Sequence, residues 1–288
     1  MKKIKIKEIK AELILIPSKL PGADWVINPY VGCSFGCQYC YAVFIGRWKH
    51  PGEKWGSFVD VKINAHELLE KKLNSLKKRK KSKDFGKIFF SSVTDPYLGL
   101  EAKYKITWKC LQVLVDFGYQ GNVSILTKSP LVTRDIDLFK KLKRITVGLT
   151  VTTLQDRVVR FLEGNAPPAS ARIKALKKLN DNNISTYAFV GPLLPYFTAR
   201  KEKLNQLFSE LKKVGVKEIW LEHINLNPKI KNRLFKYLKK EAPELIPEFQ
   251  KADTQEYRNK LEKIVKEALK GKGFKIALDK IIYHKKLK

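Results

Sequence analysis

Six short apolar runs alternate with six longer amphipathic patterns along this chain, and few folds accommodate that alternation. The runs are rich in β-branched and aromatic residues and nearly continuously apolar, as strands covered on both faces are. Parallel strands joined by right-handed crossovers then predict an α/β fold, a partial (β/α)6 TIM-type barrel. The predicted strands span residues 25–31, 87–93, 122–128, 145–152, 184–194 and 218–225. The predicted helices span about residues 64–81, 104–117, 133–142, 170–180, 201–214 and 228–240.

The same alternation predicts how the chain is organised. Residues 1–24 read as an N-terminal strand or extension, residues 25–240 as the barrel, and residues 241–288 as a mostly helical extension with a short strand near its end. Asn64 is expected to cap the first helix, with Glu67 in the reciprocal position of a capping box. In such a barrel the chemistry is expected at the carboxyl ends of the strands and in the loops after them.

Three of the four cysteines lie in VGCSFGCQYCYA, residues 31–42, directly after the first predicted strand. Cys33, Cys37 and Cys40 have the spacing C-x3-C-x2-C, and Gly32 and Gly36 precede the first two. Glycine lets a backbone fold tightly around a bulky inorganic group. Clustered thiols fit a metal site in a reducing compartment better than a disulfide framework, so we expect a cytoplasmic protein.

Two kinds of metal site are compatible with three clustered thiols. A structural zinc needs a fourth ligand, for which His50 is the nearest candidate, whereas Cys110 falls in the apolar stripe of its helix and reads as core. Iron–sulfur clusters are normally held by four thiolates, so three leave one iron of a 4Fe–4S cluster open to a substrate. We favour such a cluster, with its open iron chelating the amino and carboxylate groups of S-adenosylmethionine (SAM).

The cysteine spacing after the first strand of a βα barrel is identified as the radical-SAM signature. Other segments of the sequence make the resemblance more specific. NPYVGCSFGCQYCYA, SSVTDPY, LTKSPLVTRDID, LEGNAPPASARIKALKKL and VGPLLP together resemble the spore photoproduct lyase family and related DNA-repair-photolyase-like proteins. The resemblance covers about residues 25–200 and is weak over the C-terminal third. It implies an enzyme that reductively cleaves SAM to methionine and a 5′-deoxyadenosyl radical, which takes a hydrogen from the substrate.

The resemblance assigns roles to residues that follow the second and third predicted strands. Ser92, Thr94 and Asp95 lie in a segment that it implies borders the SAM amino group and the substrate, although Asp-Pro is also ordinary turn chemistry. Lys128 closes an apolar strand, where a lysine is costly to leave unpaired. The resemblance implies that the SAM carboxylate pairs with it; chance is the alternative in a chain so rich in lysine.

Further candidates follow the fourth and fifth predicted strands. Thr150 and Thr152 share one strand face and could hydrogen-bond the SAM carboxylate or ribose, although threonine is common in strands for other reasons. Gly191 permits the close approach of a ligand, expected to be the adenine. Glu163 and Arg172 match the family pattern, with a structural ion pair as the alternative.

Tyr39 and Tyr41 flank Cys40 and could simply pack around the cluster. In the lyases that this chain resembles, tyrosines here belong to a hydrogen-atom relay that regenerates SAM, and the relay also needs a thiol donor. Ser92 aligns with the position of that thiol. A serine O–H bond is too strong to serve as the donor, so this departure argues against true spore-photoproduct repair.

The charge balance points to a partner. With 58 Lys and Arg against 28 Asp and Glu, the formal charge is +30 at pH 7. Such an excess indicates a polyanion, DNA or RNA, although the predominance of lysine also fits a merely solvated surface. The family chemistry needs an electron donor such as ferredoxin or flavodoxin. No apolar run of roughly 18 residues and no signal peptide are found, so no membrane association is expected.

Three functions therefore remain open. The leading one is radical repair or modification of a nucleic-acid base by a lyase-like radical-SAM enzyme. The second is a radical-SAM enzyme that acts on a protein or a small molecule, with the positive charge incidental. The third is a non-catalytic iron–sulfur or zinc module that binds nucleic acid.

Overall fold

A computed structural model describes residues 4–284, which form eleven β-strands and eleven α-helices joined by loops and short 3-10 turns. The strands are β1 (Lys5–Ile9), β2 (Leu15–Pro17), β3 (Trp25–Ile27), β4 (Tyr30–Gly32), β5 (Phe58–Lys62), β6 (Lys87–Phe90), β7 (Asn122–Thr127), β8 (Ile145–Thr150), β9 (Ser185–Leu193), β10 (Glu218–His223) and β11 (Lys275–Ile282). The helices are α1 (Phe44–Lys49), α2 (Ala65–Lys80), α3 (Glu101–Tyr104), α4 (Ile106–Phe117), α5 (Ile136–Lys141), α6 (Asp156–Glu163), α7 (Ala169–Asp181), α8 (Lys201–Lys213), α9 (Pro228–Glu241), α10 (Ile246–Lys251) and α11 (Gln255–Leu269). Within this described part, no helix is both long and apolar enough to cross a membrane.

The chain divides into two compact units, and the cysteine loop contributes to both. The first unit contains the chain through Phe35, then Ala42–Gly148 and Asp181–Ser185. The second contains Gly36–Tyr41, Leu149–Asn180 and the chain from Thr186. Cys33 therefore belongs to the first unit, and Cys37 and Cys40 belong to the second.

The first unit is built on parallel strand pairs. β6 pairs in parallel with β3 and with β7, and β2 adds to β3 in the antiparallel direction. A smaller sheet places β5 between β1, which is parallel to it, and β4, which is antiparallel. The apolar stripe of α2, including Leu69 and Leu73, is fully buried, as is Leu111 on α4. Burial of these stripes supplies the main driving force for folding this unit.

The second unit has β10 at the centre of its parallel strands. β10 pairs in parallel with β9 and with β11, and both registers shift near Leu221. β11 spans eight residues, so the short terminal strand expected from the sequence is confirmed and is longer than predicted. The buried faces of α8 and α11, represented by Leu207 and Leu261, complete the core of this unit.

The first predicted strand, residues 25–31, is wrong as a single element. The structure divides it into β3 and β4, which pair with different strands. The break falls at Asn28 and Pro29 because proline has no N–H for a ladder. In addition, the Asn28 Oδ1 atom accepts hydrogen bonds from the backbone N–H groups of Ser92 and Val93, at 2.9 and 3.2 Å. The other five predicted strands are confirmed as β6 to β10.

The helix predictions need correction at several points. Asn64 makes no side-chain cap; its amide instead pairs with the backbone of Ala11, at 2.8 and 2.9 Å, so its oxygen is already engaged. The helix predicted over 104–117 is confirmed as α4, but it begins at Ile106, because the left-handed conformation of Lys105, with φ 53°, separates it from the short helix α3. The pattern over 133–142 begins as a 3-10 turn before α5, and α6 was not predicted.

Candidate active site

Asp95 connects the loop after β6 to the end of β7 through hydrogen bonds. Its Oδ1 atom accepts hydrogen bonds from the Thr127 hydroxyl at 2.6 Å and the Tyr97 N–H at 2.9 Å, and its Oδ2 accepts one from the Lys128 N–H at 2.8 Å. Burial raises the pKa of Asp95, while these three hydrogen bonds oppose the rise. The predicted site residues Asp95 and Lys128, which follow different strands, are thus brought together.

Thr94 and Ser92 connect the loop after β6 to the segment before the cysteines. The Thr94 hydroxyl donates a hydrogen bond to the Gly32 carbonyl oxygen, one residue before Cys33. The Ser92 hydroxyl accepts a hydrogen bond from the Asn28 side-chain amide at 3.3 Å. Thr94 therefore holds the backbone directly before the first cysteine, and Ser92 contacts the Asn28 side chain earlier in the same segment.

Gly32 is required by the conformation of the cysteine loop. Its φ is +82°, and a Cβ atom there would lie 2.6 Å from the Phe58 ring and from the Phe58 carbonyl oxygen. No side chain fits without moving the strand opposite. Gly36 is also left-handed, with φ 69°. The tight folding predicted for this loop from its glycines is confirmed at both positions.

Glu163 is the centre of a buried polar cluster in the second unit. Its carboxylate accepts hydrogen bonds from the Tyr39 hydroxyl, the Thr152 hydroxyl at 2.7 Å and the Arg172 guanidinium. Glu163 and Arg172 form an ion pair in which both side chains are 0% exposed, so the structural alternative weighed for them is confirmed. Arg172 also donates to the Thr150 carbonyl oxygen at 3.0 Å.

This cluster bears on three predicted site residues. The Thr152 hydroxyl and the Thr150 carbonyl are engaged by the protein itself, and Tyr39 is buried beside Cys37. Burial, and then the charge of Glu163, raises the pKa of the Tyr39 phenol well above its ordinary value. Tyr39 thus remains a neutral phenol that donates its hydrogen to Glu163. Tyr41, in contrast, is 46% exposed.

Arg233 on α9 is a residue that the sequence analysis missed. Its guanidinium donates hydrogen bonds to three successive carbonyl oxygens of the cysteine loop: those of Gly36 at 3.1 Å, Cys37, and Gln38 at 3.0 Å. A second contact fixes the same loop: the Gln38 N–H donates a hydrogen bond to the Leu162 carbonyl oxygen at 2.8 Å. The one sequence signal for this role is that an arginine stands in a helix otherwise rich in lysine. Only arginine has a planar guanidinium group whose several N–H donors can reach neighbouring carbonyl oxygens together.

Gly191 has a different reason to be glycine from the one expected. A Cβ atom there would lie 2.2 Å from a ring carbon of Phe189 and 2.8 Å from the Glu222 Cβ atom. Tight packing within the protein therefore already excludes a side chain at this position. The predicted contact with adenine stays a prediction.

His50 and Cys110 are poorly placed as further metal ligands. The two ring nitrogens of His50 lie 3.0 Å from Asp60 Oδ2 and 3.2 Å from Glu53 Oε1, so both are engaged. Cys110 is fully buried, as predicted, and burial raises the pKa of its thiol. Across residues 4–284, no three His, Cys, Asp or Glu side chains gather around one point as a single metal ion requires.

The donor set of the cysteine loop nevertheless fits an iron–sulfur cluster. A cubane with three protein ligands takes one thiolate on each of three irons, so its sulfurs need not converge on one ion. The residues Cys33 and Cys37 are 8% and 6% exposed, and Cys40 is partly exposed. Arg233 places a cation beside Cys37 and Cys40, where it would favour anionic sulfur.

Comparison with known proteins identifies the family. The model of the radical SAM superfamily matches residues 27–208, and the chain belongs to that superfamily. An uncharacterized protein of Methanocaldococcus jannaschii is 43% identical over 67% of this chain and 69% of its own length. A protein of Pseudomonas phage M6 named radical SAM Nalpha-GlyT isomerase is 26% identical over 65% of this chain and 37% of its own length.

Solved structures show the fold. Spore photoproduct lyase complexed with dinucleoside spore photoproduct superposes with a TM-score of 0.70, at 14% identity, over 96% of this chain and 82% of that one. A double mutant of the lyase with bound AdoMet and dinucleoside spore photoproduct gives a TM-score of 0.67 at 15% identity, over 94% and 80% of the two chains. The fold is therefore α/β with parallel strands, the partial TIM-type barrel of this superfamily, as predicted.

Proposed function

We propose that this protein reductively cleaves SAM at a 4Fe–4S cluster bound by Cys33, Cys37 and Cys40, and that its substrate is a nucleic-acid base. The observation that carries the first part is the C-x3-C-x2-C loop within a chain of the radical SAM superfamily. The cluster would supply an electron to SAM, giving methionine and a 5′-deoxyadenosyl radical. A ferredoxin or flavodoxin is the proposed source of that electron.

The protein's own part is positioning. Thr94 and Arg233 fix the backbone on the two sides of the cysteine loop. Lys128 is proposed to pair with the SAM carboxylate, and Asp95 fixes the backbone from which Lys128 extends. Thr150, Thr152 and Gly191 remain proposed neighbours of SAM. Such preorganisation places the reacting atoms without reorganisation at the moment of reaction.

Two observations support a nucleic-acid substrate. The formal charge of +30 favours a polyanion. The lyase that shares this fold is described in complex with a dinucleoside photoproduct. Ser92, however, aligns with the position of the lyase thiol donor. We therefore propose that the substrate is a base other than spore photoproduct. Tyr39 and Tyr41 are proposed members of a hydrogen-atom relay, which would need a first donor other than Ser92.

The test begins with the cluster. Protein purified without oxygen should be brown and contain about four irons per chain. Replacing Cys33, Cys37 or Cys40 by alanine should abolish the colour and the formation of 5′-deoxyadenosine from SAM and dithionite. The matched control is Cys110→Ala, which removes the fourth thiol and should leave both unchanged. A bleached Cys110→Ala protein would contradict the three-ligand assignment.

The substrate is tested by adding UV-irradiated DNA, untreated DNA or RNA and following the mass of each. A base modified in proportion to the 5′-deoxyadenosine formed supports the proposal. If the substrate is instead a protein or a small molecule, nucleic acids should neither change in mass nor accelerate SAM cleavage. A non-catalytic module would form no 5′-deoxyadenosine at all.

Lys128→Ala should weaken SAM binding with the iron content unchanged. Loss of a charge-assisted hydrogen bond costs about 1.5–3 kcal/mol, which is roughly 10- to 150-fold in affinity. Calorimetry of SAM binding to the reconstituted protein measures the effect. An unchanged affinity would remove Lys128 from the SAM site.

A further inference from the structure

A groove of about 340 Å³ lies in the second unit, beside the carboxyl ends of β8 and β9. One wall is a face of α6, and the other is the segment that follows β9 and enters α8. None of the side chains that shape it belongs to the candidate active site. Its cationic and aromatic side chains are Arg157, Phe161, Tyr196, Phe197, Arg200 and Lys203.

The groove is positively charged. Among the residues that the structure describes, Arg157, Arg200 and Lys203 have no carboxylate within 4 Å. Asp156, next to Arg157 in the chain, turns away and accepts hydrogen bonds from the Ser170 hydroxyl at 2.7 Å and its N–H at 3.1 Å. Three cations around one groove without internal neutralisation repel one another and favour an anionic ligand.

The neighbouring Lys201 shows the contrast. Its Nζ atom lies 2.7 Å from the Glu267 carboxylate, so this cation has a partner within the protein. Lys201 does not line the groove. Arg200 and Lys203, one and two positions from it in the chain, do line the groove and have no carboxylate partner among residues 4–284.

Tyr196 presents an aromatic ring at the groove. The residue is 43% exposed, and its φ is +65°, a left-handed conformation that is costly for a tyrosine. The Thr198 and Ala199 N–H groups both donate to the Leu194 carbonyl at 3.0 Å, which fixes the turn. Phe197 packs edge-on against the ring, with ring centres 5.2 Å apart. The backbone is strained, and the exposed ring is held in a fixed position. Together these features indicate that the ring contacts a ligand.

Arg200 adds a cation to this aromatic surface. Its guanidinium carbon lies 4.3 Å from the centre of the Tyr196 ring. The same segment is tied to the candidate site, because the Thr198 hydroxyl donates to the Thr152 carbonyl at 2.6 Å. The groove therefore lies on a loop fixed to a strand end at which SAM contacts are proposed.

We infer that this groove binds a single-stranded nucleic-acid segment, with a base stacked at Tyr196 and phosphates at Arg157, Arg200 and Lys203. Exposed aromatic rings between unpaired cations are what sequence-tolerant single-strand binding requires. An acidic peptide would match the charge but would bring no planar base to lie against the exposed part of the Tyr196 ring. The inference rests on the proposed function, because it names the surface that would hold the nucleic-acid substrate.

The test is binding of a fluorescein-labelled oligothymidylate of about 12 nucleotides to the reconstituted full chain. Anisotropy titrations are run at several salt concentrations with Arg200→Ala and, as the matched control, Lys201→Ala. Each variant removes one cation at the start of α8, but only the first removes it from the groove. Arg200→Ala should weaken binding about 10-fold and reduce the slope of log K against log salt by about 0.7. Lys201→Ala should remain within about twofold of wild type with the same slope.

A second pair of variants tests the ring. Tyr196→Asn removes it while keeping a residue that tolerates the left-handed conformation. Binding should weaken about 5- to 150-fold with the salt slope unchanged. Tyr196→Phe keeps the ring and should bind as wild type does. Circular dichroism and thermal unfolding verify that each variant is folded.

The outcomes separate this inference from the proposed function. Equal binding by Arg200→Ala and Lys201→Ala, or full affinity in Tyr196→Asn, overturns the groove while base modification by the wild type stands. Polyglutamate that displaces the oligonucleotide as well as unlabelled oligothymidylate does, at equal charge, also overturns it. If the wild type neither binds nor modifies any nucleic acid, the groove and the nucleic-acid substrate fail together, while SAM cleavage remains a separate result.

Discussion

Asp95 in the first unit and Glu163 in the second are both buried carboxylates that fix segments near strand ends, but they are satisfied differently. Asp95 accepts hydrogen bonds from one hydroxyl and two backbone N–H groups. Glu163 accepts them from two hydroxyls and from the guanidinium of Arg172. Hydrogen bonds from neutral donors do not offset the desolvation of Asp95, whose pKa is raised by burial. Loss of a single partner should therefore be most damaging where that partner carries the balancing charge.

The largest effect is expected for Arg172→Met. The substitution leaves the Glu163 carboxylate buried without its cation, which typically costs about 3–5 kcal/mol. The free energy of unfolding in urea, measured anaerobically, gives the value. The control is the double variant Glu163→Gln/Arg172→Met, which removes the buried charge as well and should recover much of the loss. A single variant as stable as the double one would mean that the ion pair is not what balances Glu163.

The cysteine loop and five of the six strands could be predicted because their signals are local. Cys33, Cys37 and Cys40 are close in sequence, and each strand from β6 to β10 is an apolar run that ends at a turn. Glu163 and Arg172 were visible as a pair in the family pattern. The contacts of Glu163 with Thr152 and Tyr39 could not be predicted, because they depend on how separate segments of the chain pack.

What the sequence could not provide are contacts between distant residues. Arg233 lies 195 to 197 positions from the carbonyl groups that it fixes, and no local pattern signals such a contact. Asn64 has the residue type and position of a helix cap, yet the backbone of Ala11, 53 positions away, offers its amide two hydrogen bonds. In both cases a tertiary contact decides the role of the residue. The local sequence does not indicate which groups Arg233 contacts, and for Asn64 it indicates a different role, that of a helix cap.

Asp95→Asn should have the next largest effect, about 1–3 kcal/mol, because an amide NH2 would face a buried donor at one of the two oxygen positions. The effect should depend on pH. The pKa of Asp95 is raised in the folded state, so the folded protein binds this proton more tightly than the unfolded chain does. Wild-type stability due to Asp95 is therefore present below about pH 4 and is lost as pH rises through the folded pKa.

Asparagine does not titrate, so the cost of Asp95→Asn should be largest in acid and should shrink toward neutral pH. Urea unfolding of both proteins at about pH 4 and about pH 7 measures the two costs. A cost that grows with pH would show that the ionised carboxylate is the form that the folded state favours. In that case Asp95 would resemble Glu163, and the contrast between the two clusters would disappear.

The smallest effects come from a matched pair, Thr127→Val and Thr152→Val, each of which removes one hydroxyl donor from one of the two carboxylates. The Thr127 hydroxyl donates to Asp95 at 2.6 Å and also accepts from the Ser129 N–H at 2.9 Å. The Thr152 hydroxyl donates to Glu163 at 2.7 Å, where Arg172 and Tyr39 remain. Thr127→Val should therefore cost about 2 kcal/mol and Thr152→Val about 1 kcal/mol in urea unfolding. The reverse order would mean that the Thr152 hydroxyl stabilises the Glu163 carboxylate strongly even though Arg172 already balances its charge. The presence of a balancing cation would then not explain the difference between the two clusters.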